Sequence, residues 1–208
     1  MSRPSPQWRW VGIKALAHAL ALLPLALLVQ AAFGGTLGAD PVAAITHQTG
    51  EWALRLVLLG LAMTPLRRLL GQPWPIRFRR LVGLYAFFYA SLHLATYVVL
   101  DLGQYWQQLL DDIVKRPYIT VGFAAWLLLV PLALTSTRGW MRRLGRRWGQ
   151  LHKLAYVVGV LGVLHYLWLV KSDLREPLVY AAVLALLLGL RLWWRFRKPP
   201  AQAPMRGA

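Results

Sequence analysis

Five histidines are the candidate metal ligands of this chain, and two of them fall where a pair of imidazoles could share one iron. There is no cysteine, which excludes iron–sulfur ligation, thiolate zinc, disulfides and a cysteine nucleophile. Four methionines leave little scope for thioether ligation, and only Met63 lies deep in an apolar run. Histidine inside a bilayer is costly and turns toward the bundle interior, a partner or a cofactor. His93 stands ~12 residues into an apolar stretch, ~18 Å from its basic end and ~10 Å from the other. His165 comes six residues before Lys171 on a second stretch, ~9 Å from the same far end. The two residues therefore sit at matching depth. A porphyrin iron takes two imidazoles roughly 4 Å apart, one from each face, and facing helices supply that geometry.

His152 precedes His165 by thirteen residues, a separation of ~20 Å that suits two stacked haems, one near each membrane face. On a straight helix those thirteen residues also turn the two imidazoles ~220° apart, toward different sides. His18 lies ~12 Å inside the first apolar stretch, where it could face a haem, ligate the inner one, bind a quinone or simply pack. His47 falls in an outer connection and is expected to be solvated. Against all of these stands a plainer reading, in which each histidine hydrogen-bonds a neighbouring helix. Arg55 follows Glu51 by one turn, either as an i,i+4 ion pair or as the partner of an outer haem propionate. Arg77, Arg79 and Arg80 either set topology or hold the inner haem's propionates or a flavin phosphate.

The elements that must position these groups are membrane helices. The chain has 208 residues, 58% of them hydrophobic, and its mean hydropathy is +0.46. A soluble domain of this size needs a more polar shell. Apolar stretches long enough to cross a bilayer (~20 residues at 1.5 Å each) occur six times. They fall at about 10–33, 51–70, 81–100, 118–136, 150–170 and 177–195. The first begins after a basic N-terminus but runs to Phe33, too long for the core of a signal peptide, so it is read as a membrane helix. Gly34-Gly35, Pro41, Pro73, Pro75, Pro117, Gly139 and Pro177 punctuate the connections. No supersecondary repeat is apparent. The expected fold is an all-α polytopic bundle of about six transmembrane helices, one domain over 1–198 with a disordered cytoplasmic tail at 199–208.

A net charge of +17 invites a nucleic-acid reading, but the basic residues form short clusters between apolar runs. Nineteen of the 24 Lys and Arg fall on one side of the expected membrane, and all seven acidic residues fall on the other. The positive-inside rule places the basic side, with both termini, in the cytoplasm of a bacterial inner-membrane protein. Trp8, Trp10, Trp74, Trp140, Trp148, Trp193 and Trp194 gather at the same boundary, where indoles anchor among headgroups.

Several segments resemble the MsrQ family, the haem-binding membrane subunits of bacterial periplasmic methionine sulfoxide reductase systems. They are Gly35-Thr36-Leu37-Gly38-Ala39-Asp40-Pro41 with His47-Gln48-Thr49-Gly50, then Arg79-Arg80-Leu81-Val82-Gly83-Leu84 and Leu92-His93-Leu94. The most specific block runs from Thr135-Ser136-Thr137 through Leu144-Gly145-Arg146-Arg147-Trp148 to Leu151-His152-Lys153 and His165-Tyr166-Leu167-Trp168. Its wider relatives are the ferric-reductase-like transmembrane domains, which carry two histidines on each of two helices. Here Arg79 stands about fourteen residues before His93, in place of a histidine.

The resemblance implies haem b, one or two, with His93 and His165 as the outer ligands and His152 as an inner one. It implies quinol or a flavin as electron donor, the flavin being FMN or a separate flavin reductase. It also implies a periplasmic molybdopterin-containing partner that reduces methionine sulfoxide. No Gly-x-Gly-x-x-Gly joins a strand to a helix, so the electrons must come from outside the polypeptide. Reducing equivalents are expected to enter near His152, pass to the haem of His93 and His165, and leave to the partner, with the acidic outer connection 102–118 as docking surface. A bis-imidazole iron has no open position, which favours electron transfer over substrate chemistry. Two other classes stay open: a stand-alone ferric or quinone reductase, and a small transporter or scaffold without haem.

Overall fold

The computed structural model describes residues 6–103 and 105–196; the tail expected at 199–208 lies outside these. The described residues contain helices and no strand. In chain order they are α1 (Pro6–Phe33), α2 (Pro41–Leu70), α3 (Trp74–Thr96), α4 (Trp106–Lys115), α5 (Pro117–Leu134), α6 (Arg138–Leu144), α7 (Arg146–Leu151), α8 (Leu154–Leu169) and α9 (Arg175–Phe196). A π-helical turn, Tyr97–Asp101, continues α3. Local chemistry sets the boundaries. Asp40 caps α2 by accepting from the Ala43 amide at 2.9 Å, Pro41 follows it, and Gly71 ends the helix at φ 63°.

The six expected spans correspond to α1, α2, α3 with its π turn, α5, α7–α8 together, and α9. Five of these are long and apolar enough to cross a membrane by composition alone. The other, α2, has 30 residues but carries Glu51, Arg55, Arg67 and Arg68. Arg67 and Arg68 stand exposed in its last turn, and Glu51 and Arg55 pair with each other where the helix packs against α1, α3, α8 and α9. Ala53, Leu56, Met63, Val82, Ala86 and Tyr89 form the core between α2 and α3. Leu54, Leu58, Leu61, Val163, Leu184 and Leu187 form a second core that joins α2 to α8 and α9. Outward-facing Leu16, Leu20, Leu127, Leu178 and Leu186 are exposed, as lipid-facing side chains must be. The short helices α6 and α7 carry the basic cluster Arg138, Arg142, Arg143, Arg146 and Arg147.

Two helix-interior prolines are answered by side chains from neighbouring helices. A proline removes an amide donor and opens the ladder around it. Near Pro24 the buried Tyr89 hydroxyl of α3 inserts into α1, donating to the Ala21 carbonyl at 2.8 Å and accepting from the Leu25 amide at 3.2 Å. Pro65 has no amide to offer the Leu61 carbonyl one turn earlier, and Arg191 of α9 donates to that carbonyl instead. The same guanidinium donates to the Tyr156 hydroxyl at 2.5 Å, tying α2, α8 and α9 together. Arg191→Leu is therefore expected to cost about 1–3 kcal/mol, the penalty of an unsatisfied buried acceptor. Adding Pro65→Ala restores the missing amide and should recover part of that loss. Thermal unfolding in detergent of both single variants and the double variant measures the coupling, and simple additivity would refute the assignment.

Candidate cofactor-binding site

His93 of α3 and His165 of α8 meet inside the bundle, with ring centroids 6.0 Å apart and ring planes at 75°. Each ring is pinned from behind. His93 Nδ1 lies 2.8 Å from the Thr46 carbonyl of α2, and His165 Nδ1 lies 2.7 Å from the Tyr118 carbonyl of α5. A carbonyl only accepts, so each Nδ1 carries the proton and each Nε2 keeps its lone pair. That is the tautomer of a metal-binding imidazole with its outer hydrogen bond in place. An iron bonded to two Nε2 atoms at about 2 Å each puts the ring centres about 6 Å apart. The observed spacing meets that demand. The two ring planes stand 75° apart, an edge-on arrangement.

Glycine makes this approach possible. Gly50 stands one turn after Thr46, and a Cβ there would lie 2.9 Å from His93 Nδ1. Gly122 stands one turn after Tyr118, and a Cβ there would lie 2.7 Å from His165 Nδ1. The two bonds also span the same sequence separation, 47 residues in each case. The pair α2–α3 thus recurs as α5–α8, carbonyl, glycine and histidine in equivalent places. The expectation of no supersecondary repeat is corrected here. The shared residues, a glycine and a histidine per half, are too few to reveal it by inspection.

Around the two rings lies an apolar cavity of about 1100 Å³, its open mouth included. Ala53, Ala90, Ala125 and Gly162 keep its walls shallow, as a flat macrocycle requires. Among the described residues no three His, Asp or Glu side chains converge as a bare metal ion needs. The pair instead suits an iron whose remaining ligands come from a macrocycle. At the outer mouth, Leu109 of α4 reaches the cavity. Its helix is held there by buried Asp112, which accepts from the Tyr97 hydroxyl at 2.5 Å and pairs with Arg116 at 3.1 Å. Tyr97, which also lines the cavity, belongs to the π turn one turn beyond His93. Trp126 closes another wall and donates to Ser91 at 3.0 Å, joining α5 to α3.

A second cavity of about 880 Å³ lies toward the basic side. Val57, Leu129 and Val158 line both, so the two are stacked with an aliphatic wall between them. His152, Arg79 and Arg80 all line the inner cavity, with Gly60, Gly83 and Ala155 keeping space open. His152 reaches it because the helix steps at His152–Lys153, between α7 and α8, where the amides of Lys153, Ala155 and Tyr156 bond three residues back. The straight-helix rotation therefore does not apply. The His152 ring stacks on Trp148 at 4.0 Å, and its Nε2 lies 3.2 Å from the Thr135 hydroxyl. Thirteen residues before His93, the place equivalent to His152, stands Arg80. The inner cavity thus offers one imidazole beside two guanidinium side chains.

The remaining candidates lie elsewhere. His18 Nδ1 is 2.9 Å from the Tyr85 hydroxyl and lines neither cavity. Arg55 is held by Glu51 at 2.7 Å and by Tyr180 at 2.8 Å, outside the outer cavity. Arg77 lies over the Trp10 ring. His47, expected to be merely solvated, lines the outer cavity, as does Glu51 one turn later. Thr46, Gly50, Tyr118 and Gly122 escaped the sequence reading. Their signal was the equal spacing from each histidine.

A family model described as "Ferric reductase like transmembrane component" matches residues 49–163, from within α2 to within α8. A protein-methionine-sulfoxide reductase heme-binding subunit MsrQ of Xanthomonas axonopodis pv. citri is 62% identical over 189 residues, covering 88% of this chain and 87% of its own. The MsrQ of Xanthomonas oryzae pv. oryzae is 58% identical over 207 residues, covering 93% and 95%. That of Ralstonia nicotianae is 52% identical over 181 residues, covering 86% and 83%. If Gly122 sets the position of His165, Gly122→Ala must push the ring off the Tyr118 carbonyl, at a cost of about 1–3 kcal/mol for overpacking. Thermal unfolding should show that loss and Gly83→Ala, with nothing within 4 Å of its Cβ, should not. Equal stability of the two variants would contradict the role given to Gly122.

Proposed function

The chain belongs to the ferric-reductase-like transmembrane family and, within it, to the haem-binding MsrQ subunits of protein-methionine-sulfoxide reductase, and we propose on that premise that it carries electrons through b-type haem to a catalytic partner. The membrane is the bacterial inner membrane and the acidic side is periplasmic, a reading supported by the sorting of Lys and Arg to the opposite side. The donor is quinol or a flavin carrier, FMN or a flavin reductase. The partner is a periplasmic molybdopterin-containing reductase that acts on methionine sulfoxide in oxidised proteins. The domain extends over 1–198.

The observation that supports this reading is the His93–His165 pair, with ring centroids 6.0 Å apart and each Nδ1 on a main-chain carbonyl, which leaves both Nε2 lone pairs available to an iron. Haem bound there supplies one-electron redox chemistry. His93 and His165 would hold the haem iron from two helices, and with both imidazoles bound the group would supply electron transfer rather than substrate chemistry. Alanine and glycine walls exclude water and keep the surroundings apolar. Tyr97, Asp112 and Arg116 hold α4 across the outer mouth, and the acidic connection that includes α4 offers the partner its docking surface. On the inner side His152 provides one ligand to a second haem, while Arg79 and Arg80 provide cations for propionates or a flavin phosphate. Val57, Leu129 and Val158 line both cavities.

Absorption spectra test the ligand assignment. Protein made with haem available should show a Soret band, with sharp α and β bands on reduction. His93→Ala or His165→Ala should each abolish the low-spin spectrum of the outer site, and His152→Ala should leave that component in place. A colourless protein would remove the electron-carrier reading, and an unchanged spectrum in both outer variants would remove the ligand assignment.

A further inference from the structure

The two cavities differ in the charge they offer a carboxylate. A porphyrin carries two propionates, and a carboxylate without a partner is costly among apolar side chains. Arg79 and Arg80 line the inner cavity. Among the described residues, no Arg or Lys lines the outer one. The titratable side chains in its wall are His47, Glu51, His93, Tyr97, His165 and Tyr166.

Five of those six are already committed. His93 and His165 turn Nδ1 to main-chain carbonyls and keep Nε2 for a metal. The Tyr97 hydroxyl donates to Asp112 at 2.5 Å, and that of Tyr166 donates to Glu176 at 2.9 Å. Glu51 is itself an anion and accepts from Arg55 at 2.7 Å. His47 is the exception. It is exposed at the rim, and no hydrogen bond or ion pair among the described residues engages its ring. It stands beside Thr46, whose carbonyl holds the His93 ring, and its charge acts on that ring. On α2 it lies six residues past Pro41, about 9 Å from the start of the helix. The guanidinium groups of Arg55 and Arg116 are engaged outside the cavity, the first by Glu51 and Tyr180 and the second by Asp112 at 3.1 Å.

We propose that His47 receives a propionate of the haem held by His93 and His165, an inference that rests on the haem reading of this cavity. An imidazole offers an N–H to a carboxylate in either tautomer, and a positive charge when protonated. Two axial ligands fix the tilt of a macrocycle but leave its rotation within its own plane open. A third contact at the rim settles that rotation, and His47 turns the carboxylate edge toward the outer face. The outer half thus neutralises its cofactor with a histidine, where the inner half presents arginines.

The test uses the full chain carrying His152→Ala, so that the outer site alone reports, stripped of haem in detergent. It is reconstituted with haem b or with haem dimethyl ester, which has no free carboxylate, and Soret titration gives each affinity. With His47 intact, haem b should bind tighter than the diester by about tenfold or more, the scale of one charge-assisted hydrogen bond. His47→Ala should remove that preference by weakening haem b alone, and His47→Lys, which returns a cation, should restore it. Arg55→Gln should leave the preference intact. An equal loss for both porphyrins in His47→Ala, a preference that survives it, or one abolished by Arg55→Gln would overturn the proposal. If neither porphyrin gives a low-spin spectrum with His47 intact, the haem reading of the cavity falls and the proposal with it. Low-spin spectra at equal affinity for the two porphyrins overturn the proposal alone.

Discussion

A hydrogen bond from an imidazole Nδ1 to a backbone carbonyl on the next helix is the interaction on which this bundle's site turns. It occurs twice, His93 to Thr46 and His165 to Tyr118, and each time it does three things. It selects the tautomer, it aims Nε2 at the space between the helices, and it satisfies a polar hydrogen that would otherwise be stranded in apolar surroundings. The acceptor is main chain, so its position depends on helix geometry rather than on a side-chain rotamer. Glycine one turn later lets the ring lie against the helix. A wrong rotation of either helix would break the bond and misdirect the ring together.

The same economy governs the rest of the membrane interior, where no water is present to satisfy a polar group. The carbonyl freed by Pro65 is met by Arg191, and α1 near Pro24 is met by Tyr89. The first bond ties α9 to α2, and the second ties α1 to α3. Charge is sorted by depth: the basic clusters stay at one boundary, and Glu51 with Arg55 is neutralised within α2. Two stacked cavities separated by Val57, Leu129 and Val158 are the result, one built with paired imidazoles and one with a single imidazole among cations.

Depth was legible in the sequence and rotation was not. Rise per residue is nearly constant in a helix, so counting from Lys171 and Asp101 placed His165 and His93 at one level. The six helical spans followed equally from length and hydropathy. Rotation failed at His152 because counting assumes a continuous helix, and the step at His152–Lys153 resets the angle. Arg55 read as a candidate for a propionate because its depth was right; its side chain turns toward Glu51 and Tyr180, a matter of which face of α2 meets which neighbour. The glycines were invisible because a missing side chain carries no chemistry of its own. Gly50 and Gly122 acquire meaning only once each is seen against a histidine 43 residues further along the chain.

The central claim, two imidazoles gripping one iron from opposite faces, is most directly tested by electron paramagnetic resonance of the oxidised, haem-containing protein. Two imidazole planes held 75° apart, as these rings are, would leave the orbitals of an iron bound between them nearly degenerate. The account predicts a strongly anisotropic low-spin ferric signal. A high-spin signal alone, with no low-spin component, would contradict it.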